Sequence, residues 1–374
     1  MSDTVSRAAV LVAPESLELQ DFPVPGVGDD DAILRVEAAG ICGSDWAQYQ
    51  GTLTAMPAVY PIIPGHEIAG TIHAIGDKAA MRWGVQPGDM VVIGMTIPGR
   101  GVYGLTESTA TAPALWGGYA EYMYLEPNAA VHRVPDGVAP EIAALYVPLS
   151  NGVRWAAYVP SLEQGDIVVV LGPGQQGLGC VIAAREAGAS MVIVTGTAAD
   201  AERLVVAKAF GADMTVDVDN ADPIDAVKEA TGGRMADVVL DISAEATAPV
   251  AQALDMVRAG GQIVLAGLKS YAPVPGFVSD KIVLRGLTIH GSSSPRGNRT
   301  NDPDKPIRKA LEIMASGRYP LERMCTHSFS LADADRAVRL VGRQLPARME
   351  STSPSVPPNA RHSRSGGATR DYRL

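Results

Sequence analysis

Ile167-Val168-Val169-Val170-Leu171-Gly172-Pro173-Gly174-Gln175-Gln176-Gly177-Leu178 is the stretch that decides the fold. Residues 166–171 form a continuous run of strand length and apolar character, and three glycines follow at the spacing G-x-G-x-x-G. Leu178, Val181 and Ile182 then recur at helical spacing as far as Gly188. Each glycine has a task in such a loop. One makes the tight turn, one lets the backbone approach a pyrophosphate, and one lets helix pack closely on strand. The helix N-terminus adds unpaired N–H groups that favour phosphate. A glycine pattern alone is weak. Here strand, loop, helix and a second strand at 191–194 fall in order, which points to dinucleotide binding rather than a merely tight turn.

Moving outward, fully apolar strands at 236–241, 262–266 and 287–290 alternate with helical segments. That pattern predicts an α/β domain with a doubly wound parallel sheet buried on both faces. Residues 1 to about 150 read differently. Short strands at 32–37 and 90–93 are broken by Pro23-Val24-Pro25-Gly26, Pro64-Gly65 and Pro87-Gly88-Asp89, which predicts a compact all-β unit. Residues 304–342 read as helix, short strand, helix. The segment 346–374 is rich in Ser, Pro, Arg and Gly and is expected to be disordered.

With 374 residues the chain is long enough for two domains at roughly 150 residues each. Its net charge of −10 argues against nucleic acid as a partner, although 346–374 carries five arginines against two acids. Cys42, Cys180 and Cys325 are too few and too widely spaced for a disulfide framework, and suit a reducing cytosol. No basic region followed by an apolar stretch opens the chain, and no apolar run reaches the ~18 residues of a membrane span. A cytoplasmic protein without membrane attachment is expected.

A dinucleotide fold normally carries an acid at the end of its second strand, to hold the ribose 2′-hydroxyl. Gly196 falls at that place. Glycine cannot hold the hydroxyl, and it does not repel a 2′-phosphate either. Arg203 is the nearest base. NAD and NADP both stay open, with the balance towards NADP.

Two further segments stand out: Gly40-Ile41-Cys42-Gly43-Ser44-Asp45 and Gly65-His66-Glu67. Thiolate, imidazole and carboxylate are ordinary zinc ligands, and zinc would polarise a carbonyl or acidify an alcohol where hydride leaves or arrives. On residue types alone, a single Cys and a distant His are more often core residues than ligands. These segments, the Pro87-Gly88-Asp89 turn, Gly117-Gly118-Tyr119-Ala120-Glu121-Tyr122 and the glycine loop occur in one order. In that order the chain resembles the medium-chain, zinc-dependent alcohol dehydrogenase superfamily over roughly residues 5–342, and most closely its sorbitol and threonine dehydrogenase branch.

The resemblance implies a GroES-like β catalytic domain at 1–151, a Rossmann dinucleotide-binding domain at 152–291, and a return to the catalytic domain at 292–345, with the cofactor between them. It implies hydride transfer between a secondary alcohol or polyol, or the matching ketone, and NAD(P). One catalytic zinc would be held by Cys42, His66 and Glu67. Ser44 would start proton transfer and Asp45 would orient the histidine. Gly172, Gly174, Gln176, Gly177, Leu178, Gly196, Asn151, Gly267 and Leu268 would contact the cofactor. Relatives commonly form homodimers or homotetramers.

Three departures qualify this. Val147 stands where the family usually has Cys, Glu or Asp. Residues 46–49 contain no histidine relay, leaving Tyr49 as a substitute. Residues 90–118 contain no cysteine, so no structural zinc is expected. Two alternatives therefore remain: a zinc-free NADPH-dependent reductase of activated double bonds, and a cofactor-binding protein without turnover. Trp46, Tyr49 and Trp116 are candidates for a substrate pocket or for ordinary core. Cys180 reads as core, and His73, His132, His290 and His327 as structural or surface groups.

Overall fold

The structure is a computed structural model, described for residues 4–53, 56, 59–293 and 302–344. The 346–374 segment expected to be disordered lies outside the described residues. The chain divides into two compact units, one of residues 1–88, 95–129 and 327–374, the other of residues 89–94 and 130–326.

The first unit is built on antiparallel strands. β1 (Val5–Ala13) and β2 (Ser16–Pro23) form a hairpin. β3 (Ala32–Gly40) runs into the short helix α1 (Gly43–Tyr49) and pairs with β4 (Glu67–Ile75). Helix α2 (Asp77–Trp83) follows, and β5 (Tyr122–Leu125) lies against the other side of β3. Ala8, Val10, Ile33, Ala39, Ile62, Ile63, Leu115 and Tyr119 make the core with Leu331, Ala334 and Val338. Large side chains buried in this way each contribute about 1.5–3 kcal/mol. The all-β expectation was too strict. α1 forms because Asp45 reaches back to the Cys42 N–H, and α2 starts on Asp77 and stops at the left-handed Gly84.

The second unit holds the parallel sheet. Helix α3 (Tyr146–Gly152) precedes β6 (Ile167–Leu171), α4 (Gln175–Glu186), β7 (Met191–Gly196), α5 (Ala201–Ala209) and β8 (Met214–Asp217). Then come β9 (Ala236–Asp241), β10 (Val257–Leu265), α6 (Ser279–Arg285) and β11 (Thr288–Gly291). The strand order is β8-β7-β6-β9-β10-β11, and every pairing is parallel. This is the doubly wound sheet expected. Every residue of β6 and β9 is buried, which is why β6 is wholly apolar and β9 is apolar but for Asp237 and Asp241. The chain order reverses between β6 and β9, so their carboxyl ends open the crevice where such sheets bind ligands.

One expectation is corrected. Between the helices Lys305–Ala315 and Ala334–Val341 there is no strand. Single 3-10 turns occupy Leu321–Met324 and Leu331–Asp333. Pro320 removes a ladder donor, and Leu321, Met324 and Leu331 bury as separate anchors without alternation.

Candidate metal centre and dinucleotide loop

The first cluster is assembled by sheet register. Gly40 pairs with Glu67 across β3 and β4, which brings the Cys42 turn beside the His66-Glu67 pair. A Cβ at Gly40 would overlap the Glu67 carboxylate, so glycine is what lets that side chain lie across β3. The other flank is equally tight. Gly65 has φ +92° and lies under the Tyr119 ring, and a Cβ at Gly104 would overlap the Gly65 carbonyl. The Gly118 and Tyr119 amides donate to the Gly65 and Pro64 carbonyls at 2.9 Å each. His66 is thus gripped by backbone from two other loops.

Potential ligand atoms of Cys42, His66 and Glu67 all lie within 4.8 Å of one another. His66 Nε2 is 3.2 Å from Cys42 Sγ and 3.3 Å from Ser44 Oγ, and Ser44 Oγ is 2.7 Å from the same sulfur. The opposite ring nitrogen, Nδ1, faces Asp45 Oδ1 at 3.4 Å. Asp45 is itself fixed, because its other oxygen accepts the Cys42 N–H at 2.8 Å. This is the arrangement of a histidine whose outer nitrogen is oriented by a carboxylate while the inner one faces a metal.

Electrostatics mark the cluster as incomplete. Burial pushes the Glu67 carboxyl up to about 7, with Asp45 adding to the rise and His66 opposing it. Burial also raises the Cys42 thiol, against the pull of His66. For His66, burial favours the neutral ring, but Cys42 and Asp45 outweigh it and hold the imidazole well above its usual value. Both Glu67 oxygens, Asp45 Oδ1 and His66 Nδ1 are buried without a hydrogen bond. Unpaired buried acceptors around a thiol are costly as they stand. A divalent cation would supply the missing charge, and this donor set of one S, one N and one carboxylate O fits zinc.

The second cluster lies at the carboxyl ends of the parallel strands. Gly172 has φ +102°, and a Cβ at Gly177 would overlap the Gly172 carbonyl, so loop and helix touch backbone to backbone. Beside Gly174 there is open space. α4 begins there with its free N–H groups, a cradle that fits a pyrophosphate. Asn151 Nδ2 donates to Gln176 Oε1 at 3.1 Å, tying α3 to the loop. Leu178 is buried on α4. At the end of β10, a Cβ on Gly267 would overlap the Ser243 carbonyl, while Leu268 is exposed.

A pin at that edge escaped sequence reading. Lys269 Nζ lies 2.9 Å from Asp241 Oδ2 and 3.0 Å from Ser243 Oγ, all but hidden from solvent. It locks the 267–269 turn onto the end of β9. An acid ending a buried strand and a lysine just past Gly267 are the signals that could have found it. A cavity of about 160 Å³, lined by Glu163, Asp237 and Arg258 among others, opens at the amino-terminal side of the strands. We set it apart from the dinucleotide site because ligands of such sheets bind at the opposite, carboxyl ends.

Other candidates resolve as structure. The Tyr49 hydroxyl donates to Asp335 at 2.6 Å, which makes it a tie to the helix Ala334–Val341 rather than a proton relay. Trp116 is buried and donates to the Thr111 carbonyl, and Trp46 stacks on Tyr49. Cys180 is core, and His290 is bonded to Gln262. Val147 is a buried apolar residue of α3. At the end of β7, Arg203 is paired with Asp200 at 3.1 Å, and Asp200 also accepts from Thr197. Asp219 takes the Ala198 N–H, and Asp217 stands opposite Gly196.

Comparison with known proteins agrees with this geometry. The family described as alcohol dehydrogenase GroES-like domain matches residues 28–136, and the family described as zinc-binding dehydrogenase matches residues 177–315. The chain is 41% identical to a probable alcohol dehydrogenase of Mycobacterium tuberculosis, covering 96% of this chain and 98% of that protein. It is 30% identical to a sorbitol dehydrogenase of Bacillus subtilis, covering 94% and 97%. An alcohol dehydrogenase from Thermotoga maritima superposes with a TM-score of 0.78 at 25% identity, covering 91% and 97%. From fold, cluster and kinship together, the chain belongs to the zinc-type medium-chain alcohol dehydrogenase superfamily.

Proposed function

We propose that the chain is an NAD(P)-dependent dehydrogenase of secondary alcohols or polyols, working on the matching ketones in reverse, with one catalytic zinc held by Cys42, His66 and Glu67. The observation that carries this is the buried set of three ligand types within 4.8 Å, with its carboxylate oxygens left unpaired. When bound, zinc supplies Lewis acidity towards the alcohol oxygen and the nicotinamide supplies hydride acceptance. The chain's own residues do the rest. Asp45 fixes the His66 ring so that Nε2 points at the cluster. Ser44 Oγ would take up the alcohol proton as its own is released to water. Gly172, Gly174 and Gly177 let the pyrophosphate reach the backbone N–H groups of α4, with Gln176 and Leu178 framing the loop. Asn151, Gly267 and Leu268 border the nicotinamide.

Cofactor choice follows from charge at the end of β7. Asp200, Asp217 and Asp219 gather around Gly196, and Arg203, the base nearest Gly196 in sequence, is already paired with Asp200. A dianionic 2′-phosphate would meet net negative charge there. NAD is therefore our choice, reversing the lean that Gly196 alone suggested.

Val147 favours the zinc-free reductase only if the remaining three ligands are insufficient, and three protein ligands are the usual number in a catalytic zinc site. We also take the chain to carry no structural zinc and to be a cytoplasmic homodimer or homotetramer. Among the described residues no helix is long and apolar enough to cross a membrane. Val283 and Leu284 of α6, the helix that precedes the edge strand β11, are 77% and 83% exposed, as a subunit contact would require.

The test is turnover. The full chain with NAD and a panel of secondary alcohols and polyols should yield reduced nicotinamide. Chelation should abolish the reaction and added zinc restore it. Full turnover after exhaustive chelation, or none on any alcohol or ketone of the panel, would overturn the proposal.

A further inference from the structure

Leu268 and Lys269 are turned the opposite way from an ordinary surface loop. The leucine is 58% exposed, while the lysine side chain is drawn in to 11% against a fully buried Asp241. Exposing the one and burying the other both cost free energy, so the turn is held this way by other contacts. Its backbone is equally unfavourable. Glu245, Ser270 and Tyr271 have left-handed φ of +65°, +49° and +59°, and none is glycine. Such conformers last only where the surroundings hold them, and they gather at ligand-binding edges.

The holding contacts join two turns. The Gly267 N–H donates to the Asp241 carbonyl at 3.0 Å, and the Glu245 N–H to the Leu268 carbonyl at 2.9 Å. Ser270 Oγ donates to Glu245 Oε1 at 3.1 Å. Lys269 Nζ closes the set on Asp241 Oδ2 at 2.9 Å, on Ser243 Oγ at 3.0 Å and on the Ser243 carbonyl. A Cβ on Gly267 would overlap that same carbonyl, and a Cβ on Gly172 would stand 3.2 Å from Ser243 Cα. Ser243 thus lies between the glycine loop and the 267–269 turn. Its loop side is held without Lys269, by the Ile242 N–H on the Leu171 carbonyl at 3.0 Å. We propose that Lys269 is a positioning residue for the cofactor: its ion pair with Asp241 holds the 267–269 turn so that Gly267 and Leu268 meet the nicotinamide half of the dinucleotide, while the glycine loop takes the pyrophosphate. This rests on the reading of the chain as a dinucleotide-dependent dehydrogenase.

The experiment compares two ligands of the full chain: NADH, titrated by its fluorescence, and ADP-ribose, titrated by displacement of NADH. ADP-ribose carries every part of the cofactor except the nicotinamide. Lys269→Met alone leaves Asp241 buried and unpaired and should melt lower than the parent. The deciding variant is therefore Asp241→Asn with Lys269→Met. It removes both charges and keeps an oxygen for the Ser243 amide and hydroxyl. This variant should bind NADH about tenfold more weakly, because the turn is no longer ordered beforehand, and ADP-ribose within about twofold of the parent. Parental NADH affinity in the double variant overturns the proposal. An equal loss for both ligands also overturns it, since the pair would then be merely structural. A parent that binds neither ligand overturns the dinucleotide reading itself.

Discussion

Ser44 sits in the first turn of α1, two residues after Cys42, with its hydroxyl against both Cys42 and His66. It is the one group of the cluster that can move a proton without being a ligand. Ser44→Ala should lower kcat about 10²- to 10⁴-fold, as expected for a lost proton-transfer group, while zinc content stays at the parental level. Loss of zinc along with activity would instead make Ser44 structural. Cys42, Ser44, His66 and Glu67 were legible because their spacing resembles a known family. The packing of Tyr119 on Gly65 was not, because nothing local in either segment signals that a Cβ at Gly65 would meet the Tyr119 ring. Tyr49 was misplaced for a similar reason, since its partner Asp335 is 286 residues away.

Element scale is where the glycine loop acts. A methyl at Gly177 must displace α4 from the Gly172 carbonyl. Gly177→Ala should weaken NAD binding at least tenfold and cost about 1–3 kcal/mol of stability, measured by cofactor titration and denaturant unfolding. Unchanged NAD affinity would show that the helix does not carry the pyrophosphate. A second close approach escaped sequence reading. Gly152 of α3 and Gly179 of α4 meet backbone to backbone, and glycines in two helices 27 residues apart give no local signal of that crossing. At the end of β7, kcat/KM with NAD should exceed that with NADP, and Asp200→Asn should narrow the gap by freeing Arg203. A parental preference for NADP would refute the charge argument.

Asp237, at the start of β9, supplies a pH dependence at the same scale. Burial alone would raise its carboxyl, but the Ile167 amide, Arg258 and Arg234 outweigh that and hold it below the usual range. The folded value is therefore below the unfolded one. Its contribution to stability is complete above the unfolded value, about 4, and is lost as pH falls through the folded one. Melting temperature should drop more steeply below about pH 4 in the parent than in Asp237→Asn. Parallel curves would mean that Asp237 does not contribute.

Across the whole molecule, the parallel sheet was clear in the sequence, because its central strands are buried on both faces and are apolar but for Asp237 and Asp241. The first unit was harder, because its short helices hold only seven residues each and show no helical period. The single 3-10 turns between 316 and 333 were mistaken for a strand because three buried anchors in a proline-bounded loop imitate one. Substrate identity stayed illegible, because the residues that line a pocket come from segments scattered along the chain.

The proposed function depends on a single catalytic zinc at Cys42, His66 and Glu67. Elemental analysis of the desalted full chain tests it directly. About one zinc per chain is expected in the parent and less than about 0.2 in Cys42→Ala. A parental chain below about 0.2, or a Cys42→Ala chain that keeps its full zinc, would contradict it.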